Sequence, residues 1–192
     1  MDIRYDDFRV QLLRTLNDAD GLSSEARSMV TAMSQRLERQ GELSPRMVQA
    51  NPLSDILLQV KSSYQSLPAE VHPLVGSFFN IADYLAWYKR PAPDMPDFMI
   101  GHANAEIIGP RGLERRDDLV VGVTLMRPGI TYPDHQHPPE ELYIVLSEGL
   151  WRQNDNPWWS PGHGGLVYNP ADIVHSMRSV ETPLFALWCL QM

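Results

Sequence analysis

Four side chains of the types that bind transition metals lie in two short segments of the C-terminal half. His135, His137 and Glu141 fall within GITYPDHQHPPEELYIVLSEG, and His175 falls within GHGGLVYNPADIVHSM. Imidazole nitrogens combined with a carboxylate suit Zn, Fe, Mn, Co or Ni. Because a strand directs alternate side chains to one face, His135 and His137 should point the same way. The spacing therefore predicts a divalent transition metal held by these residues.

Tyr143 adds a group that could carry out acid–base chemistry beside this metal. It follows Glu141 by two residues, so both side chains should lie on the same face of a strand. A nearby cation lowers the pKa of a phenol because the phenolate gains a favourable interaction. Tyr143 is therefore a candidate general base. The alternative is a core tyrosine that fills the interior of a barrel.

Other ligand-type residues are weaker candidates for the metal. Glu140 could replace Glu141, but strand alternation turns it away from Tyr143. Three further histidines lie in a glycine-rich loop, in a predicted strand and beside a proline, where we expect solvated or hydrogen-bonded roles: His163, His102 and His72.

The elements that must position these groups differ between the two halves of the chain. Residues 1–90 carry apolar stripes at helical spacing, first at Phe8, Leu12 and Leu16, and then from Ala26 to Leu37 after a serine cap. Another helix should follow Pro52, and a last one should cover Val75 to Tyr88. The proline-rich segment KRPAPDMPDF then resists helix and central strand, which indicates a connector.

After the connector, short β-rich runs are separated mostly by Pro, Gly, Asn or Asp. They are FMIGHANAEII, LVVGVTLM, ELYIVL, GLVYN, DIVHSM and LFALWCL. Many short strands at close spacing favour a sandwich or barrel. We therefore predict a mainly β protein, with a helical region over residues 1–90 packed on a barrel over residues 91–192.

Composition and charge limit the classes of partner. The 192 residues include 43% hydrophobic and 21% charged residues, the balance of a globular protein. A net charge of -8 argues against nucleic acid and against anionic membrane surfaces. The sequence lacks a secretory leader or an apolar run of membrane-spanning length, and its single cysteine, Cys189, lies in an apolar segment. We expect a cytoplasmic protein in which Cys189 is inert core.

The two motifs together resemble those of the cupin family. Its first motif has glycine, H-x-H, glutamate and glycine, and Gly129, His135, His137 and Glu141 fit, whereas Gly149 is one residue late. Its second motif is matched by Gly164, Pro170 and His175, but Asp172 stands where glycine is usual and Ser179 where asparagine is usual. The resemblance covers about the last 100 residues and implies a double-stranded β-helix, or jelly-roll, barrel. The departures concern turns and not the metal ligands.

Within the cupins, the chain is similar to the dimethylsulfoniopropionate lyases, which produce dimethyl sulfide and acrylate. The resemblance rests on Tyr132 before a proline, on HQHPPEELYIVLSEG, on the second-motif histidine and on the helical N-terminal half. It implies His137, Glu141 and His175 as ligands of one divalent metal, with Zn, Fe or Mn favoured. His135 would be a ligand or a close hydrogen-bond donor.

The same resemblance implies roles for two tyrosines. Tyr143 would belong to the metal's immediate surroundings and act as the base, and Tyr132 would contact the substrate from a mobile loop. Strand alternation would turn Tyr132 away from His135, so this role requires Pro133 to break the strand. The substrate is a sulfonium carboxylate whose cation suits aromatic faces. The candidates in the barrel are Trp151, Trp158, Trp159, Tyr168, Phe185 and Trp188.

Two other functions are compatible with the same motifs. One is a cupin dioxygenase or isomerase that acts on another small carboxylate. The other is a non-catalytic sensor. Such a protein would usually carry a DNA-binding helix-turn-helix, whereas the N-terminal helices here have few basic residues on any one face and the chain is acidic. Separately, the strand ELYIVL has an apolar face at Leu142, Ile144 and Leu146, opposite Glu141. Either the N-terminal helices or a second subunit of a homo-oligomer should cover that face.

Overall fold

The computed structural model describes residues 3–44 and 49–192, so residues 1–2 and 45–48 of the predicted helical region lie outside the described residues. Its helices are α1 (Ile3–Asn17), α2 (Ser24–Leu37), α3 (Ser54–Ser63), α4 (His72–Phe79) and α5 (Pro96–Gly101). Its strands are β1 (Glu42–Leu43), β2 (Trp87–Tyr88), β3 (His102–Ile108), β4 (Glu114–Arg115), β5 (Leu119–Met126), β6 (Glu141–Val145), β7 (Leu150–Gln153), β8 (Leu166–Asn169), β9 (His175–Arg178) and β10 (Leu184–Gln191).

The helical half follows the predicted stripes in its first two helices. Phe8, Leu12 and Leu16 of α1 are fully buried. The Ser23 hydroxyl caps α2 by accepting a hydrogen bond from the Ala26 amide at 3.2 Å. None of the helices in the described ranges is both long and apolar enough to span a bilayer.

The prediction of one last helix from Val75 to Tyr88 was wrong. Helix α4 ends at Phe79, and Trp87–Tyr88 form strand β2, which pairs antiparallel with β3. Aromatic residues suit strands, and the prolines that follow disfavour helix, so the open edge of β3 decides the conformation. Conversely, the segment FMIG was predicted to begin a strand, but it forms the end of helix α5.

Two sheets form the C-terminal half. The larger has the order β1-β4-β3-β5-β10-β6-β8, with β2 also pairing β3, and β7 and β9 form a separate antiparallel pair. In the large sheet only the short contact between β3 and β4 is parallel among the described strands. Closely spaced antiparallel strands in two sheets match the predicted jelly-roll architecture.

Strand alternation divides the buried residues into two clusters. One face of β6 carries Leu142 and Ile144, and with Leu146 these residues join a cluster that includes the stripes of α1 and α2. The other face carries Tyr143 and Val145, which belong to a second cluster inside the barrel. The helices therefore cover the apolar face of ELYIVL within a single chain, and each fully buried large side chain there stabilises the fold by about 1.5–3 kcal/mol.

Cys189 lies on the helix-facing side of β10. It is fully buried in the first cluster, and burial raises the pKa of its thiol to about 12. The thiol therefore stays protonated and unreactive, as its apolar surroundings in the sequence suggest.

Candidate metal centre

The two histidine-bearing segments meet through their backbones. His135 and His175 form an antiparallel bridge, with N–O distances of 3.1 and 2.8 Å between their amides and carbonyls. As a result, the two imidazole rings lie with their centroids 4.0 Å apart, although the two residues are forty positions apart in the sequence. The centre therefore depends on the pairing of the segment before β6 with β9.

All three histidines present the same ring nitrogen to the centre. Each Nδ1 lies within hydrogen-bond distance of the backbone carbonyl two residues away: His135 to Pro133 at 2.9 Å, His137 to Pro139 at 2.8 Å and His175 to Ile173 at 3.0 Å. A carbonyl only accepts, so Nδ1 must carry the proton that it donates. In the neutral imidazole, Nε2 then keeps a lone pair for a ligand.

Glu141 supplies the acidic member of the group. Its Oε2 lies 2.9 Å from His175 Nε2 and 3.5 Å from His137 Nε2. Asn169 donates to the same oxygen at 3.1 Å, and Gln153 in turn donates to the Asn169 side-chain oxygen at 2.8 Å. This chain of amides fixes the orientation of the Glu141 carboxylate.

A metal ion fits this arrangement better than hydrogen bonding among the side chains does. The potential ligand atoms of His135, His137, Glu141 and His175 all lie within 4.8 Å of one another. His175 Nε2 is buried and makes no well-directed hydrogen bond, although it lies beside Glu141. Lone pairs of imidazole and carboxylate that face each other repel, whereas a shared cation accepts both.

The electrostatics of the metal-free chain also suit a cation. Burial and the neighbouring His175 lower the pKa of His135 to about 3, so this imidazole stays neutral. Burial alone would raise the pKa of Glu141, but its contacts with His137 and His175 outweigh that effect and lower the pKa to about 2. The centre thus combines neutral ligand nitrogen with a buried anion, and the pKa of His137 is raised chiefly by hydrogen bonding to Glu141.

Both tyrosines assigned a role from the sequence line the same cavity as His135, His137 and Glu141, and this cavity has a volume of about 310 Å³. Tyr143 is buried, and burial together with the Glu141 charge raises the pKa of its phenol well above the usual value. The Tyr132 ring lies 4.9 Å from the His135 ring between centroids. Residues 132–134 lie outside any strand, so the alternation that would separate these two rings does not apply.

Of the six barrel aromatics considered for binding a sulfonium, Trp188 lines the cavity. It is paired with Gly122 on one side and with Tyr143 on the other, and its indole lies over Gly122. Tyr88 of β2 also lines the cavity, because its strand joins the edge of the sheet. The other candidates are not among the residues that line this cavity: Trp151, Trp158, Trp159, Tyr168 and Phe185.

The remaining ligand-type residues lie away from the centre. Glu140 accepts a hydrogen bond from the Tyr168 hydroxyl on the opposite face of β6. His72 lies 2.8 Å from the Leu67 carbonyl, and His102 is buried and hydrogen-bonded at the start of β3. His163 lines a separate surface groove with Glu148.

The departures from the usual cupin turns are accommodated locally. Asp172 has a φ of 58°, in the left-handed region where glycine is favoured and where aspartate is tolerated. Its amide donates to the His137 carbonyl at 2.9 Å, so the turn ties the two motifs together. The Ser179 hydroxyl donates to the Arg127 carbonyl and accepts from the Ile130 amide, which fixes the loop before the histidines.

Several residues of the site were not identified from the sequence. Asn104 donates to the Tyr132 oxygen at 3.2 Å and accepts from Thr124 at 2.8 Å, and all three residues line the cavity. A polar residue inside an apolar run, as in HANAEII and LVVGVTLM, is a signal that could have found Asn104 and Thr124. Nothing in the connector sequence distinguishes Arg90, whose side chain also lines the cavity.

Comparison with known proteins supports one family. The dimethylsulfoniopropionate lyase family profile matches residues 25–186. The dimethylsulfoniopropionate lyase DddQ of Ruegeria pomeroyi is 36% identical over 92 residues, which are 47% of this chain and 46% of that protein. A putative dimethylsulfoniopropionate lyase, DddL, of Cereibacter sphaeroides is 39% identical over 79 residues, which are 41% of this chain and 33% of that protein. The chain thus spans less than half the length of these two curated relatives in sequence.

The structural comparison extends over the whole chain. The crystal structure of DddQ from Ruegeria pomeroyi matches with a TM-score of 0.75 at 20% identity, covering 100% of this chain and 93% of the other. At this identity the likeness establishes the fold. The predicted class, a cupin barrel preceded by a helical region, is confirmed.

Proposed function

Because the chain belongs to the dimethylsulfoniopropionate lyase family, we propose that it cleaves dimethylsulfoniopropionate to dimethyl sulfide and acrylate. The observation that supports this function is the convergence of four ligand side chains, from His135, His137, Glu141 and His175, next to a cavity that Tyr143 lines. This convergence brings a cation-binding centre and a candidate base together around a space large enough for a small molecule.

The reaction is a β-elimination. The Tyr143 phenolate oxygen takes a proton from the carbon next to the substrate carboxylate, the electron pair forms the new carbon–carbon double bond, and the carbon–sulfur bond breaks. Dimethyl sulfide leaves as a neutral molecule and needs no proton, so one base suffices. The proton taken up by Tyr143 is released to solvent, which restores the phenolate for the next turnover. A divalent metal at the His135, His137, Glu141 and His175 centre would act as a Lewis acid that favours both a phenolate and a charged carboxylate.

The protein side chains also account for recognition of the sulfonium. A sulfonium cannot donate a hydrogen bond, so an aromatic face is the suitable partner, at about 0.5–2 kcal/mol for each contact. Trp188 is the cavity-lining member of the candidate set, and it is paired with Tyr143 across β10 and β6. The cation therefore lies near the base that removes the proton from the same substrate.

The test is headspace detection of dimethyl sulfide from purified protein loaded with Zn, Fe or Mn. Loss of a general base typically lowers the rate by about 10²–10⁴-fold, so Tyr143→Phe should nearly abolish turnover while the protein still binds metal. Tyr168→Phe is the matched control, because its hydroxyl contacts Glu140 on the far face of the sheet. Full activity of Tyr143→Phe would remove this residue as the base.

An oxygen electrode separates the lyase from the alternative cupin dioxygenase. The elimination uses no oxygen, so dimethyl sulfide should form at an unchanged rate under anaerobic conditions. Oxygen consumption with a small carboxylate, and no dimethyl sulfide, would favour the dioxygenase. A cytoplasmic location and a homo-oligomeric state stay predictions from the sequence.

A further inference from the structure

Arg90 carries a positive charge in the cavity, and the proposed reaction gives it no role. It lies two residues after the end of β2, and it lines the same cavity as His135, His137 and Tyr143. Its guanidinium carbon lies 5.7 Å from the centre of the Tyr132 ring. The side chain thus approaches the metal centre from the wall formed by Tyr132.

The backbone at Arg90 is held in place by a buried histidine. The Arg90 amide donates to His102 Nε2 at 2.8 Å, and His102 Nδ1 donates to the Phe98 carbonyl. His102 is fully buried and stacks on the Phe98 ring with centroids 3.6 Å apart. Because both ring nitrogens are engaged, the connector is fixed to the barrel where Arg90 enters the cavity.

The other two cations of this cavity already have partners. Arg111 forms an ion pair with Glu106 at 2.6 Å, and the Lys89 ammonium donates to the Met99 carbonyl at 2.5 Å. Within residues 3–44 and 49–192, no carboxylate lies within ion-pair distance of the Arg90 guanidinium. Arg90 is therefore a cation in a binding cavity whose natural counter-ion is a ligand.

We propose that Arg90 binds the carboxylate of the substrate and so fixes the direction in which the substrate enters the site. This inference rests on the proposed function, because the substrate carries one carboxylate and one cation. A guanidinium offers paired N–H donors that match a carboxylate. It repels the sulfonium, which is thereby directed to the aromatic face of Trp188.

The neighbouring phenol completes this recognition wall. The Tyr132 oxygen accepts the Asn104 amide at 3.2 Å, and Thr124 fixes the orientation of that amide through its hydroxyl at 2.8 Å. The Tyr132 proton is then directed to a different acceptor. A carboxylate held by Arg90 is such an acceptor, so Arg90 and Tyr132 present charged and neutral donors to the same group.

The test compares Arg90→Met and Arg90→Lys with a control at an exposed cation of α3 outside the cavity, Lys61→Met. A lost charge-assisted hydrogen bond should raise KM for the substrate and the inhibition constant of acrylate by roughly 10- to 100-fold in Arg90→Met. Arg90→Lys should bind more tightly than Arg90→Met, since lysine keeps the positive charge but lacks the paired N–H donors of the guanidinium. Lys61→Met should change either constant by less than about threefold, because this exposed charge lies outside the cavity.

Metal content and melting temperature are measured for each variant, so that altered folding is recognised. If Arg90→Met does not fold, Arg90→Lys and Arg90→Gln carry the comparison. An unchanged KM in the folded Arg90 variants, or an equal rise in Lys61→Met, would refute a specific contact with the carboxylate.

The two proposals can fail separately. If the wild-type protein forms no dimethyl sulfide under any metal, the proposed function fails. Calorimetric binding of acrylate to the metal-loaded wild-type protein and to Arg90→Met then tests Arg90 alone. Weaker binding in the variant would support carboxylate recognition, and equal binding would refute it.

Discussion

Gly122 should be one of the least replaceable glycines of the barrel, because its missing side chain makes room for Trp188. A Cβ atom at Gly122 would lie 2.1 Å from Trp188 Cζ2 and 2.4 Å from Cε2. Carbon atoms in contact normally lie about 3.5–4.0 Å apart, so Gly122→Ala requires the indole to move by more than about 1 Å. Trp188 is paired with Tyr143 on its other side and lines the candidate cavity, so a displaced indole would change the shape of that cavity.

Two opposing effects determine how much Gly122→Ala changes the unfolding free energy. Overpacking of a buried site typically destabilises by about 1–3 kcal/mol, whereas alanine is otherwise better than glycine within a strand by about 0.5–1 kcal/mol. The net loss of unfolding free energy should therefore be about 1–2 kcal/mol. In a chain of this size that loss lowers Tm by about 2–8 °C. The proposed lyase activity should fall as well, since the displaced indole changes the shape of the cavity that Trp188 and Tyr143 line.

Thermal unfolding measures the loss of stability, and tryptophan fluorescence reports the displacement of the indole. Gly76→Ala in α4 is the matched control, because the nearest atom to its Cβ is Tyr64 Oη at 3.9 Å. The same substitution there should raise stability by up to about 1 kcal/mol. When Trp188 is replaced by leucine, Gly122→Ala should reduce the unfolding free energy much less than it does in the wild-type protein. A Gly122→Ala protein as stable as the wild type, or an equal cost in both backgrounds, would refute the reasoning.

Two further predictions concern the support of the site. Asn169→Leu removes the amide that holds Glu141 Oε2 at 3.1 Å, so metal affinity in a chelator competition should fall by about 10–100-fold, and an unchanged affinity would contradict this role. Burial, with smaller contributions from Lys89 and Arg90, lowers the pKa of His102 from 6.5 to about 4. As the pH falls from about 6.5 to 4, the unfolded chain is protonated first, so stability in urea titrations should decrease by up to about 3 kcal/mol. His102→Asn should lose this part of the pH dependence of stability. If the unfolding free energy changed equally with pH in both proteins, His102 would not be its source.

Much of the fold could be predicted because it depends on local periodicity. The stripes of α1 and α2 repeat at helical spacing, and the apolar runs of β5 and β10 suit strands that are buried on both faces. The segment Trp87–Tyr88 was misassigned because its conformation depends on pairing with Ala105 and Asn104. Such pairing links residues distant in sequence and leaves no local pattern.

For the site, the sequence by itself determined which residues could bind a metal and which tyrosine shares their face. Side-chain alternation within ELYIV is a local property of the strand, so Glu141 and Tyr143 were placed on one side by spacing alone. Only the tertiary structure decided that His135 pairs with His175, that Trp188 lies over Gly122 and that Arg90 enters the cavity. These contacts follow from how separate strands and the connector pack, and packing between distant segments is set by the shape of the assembled barrel.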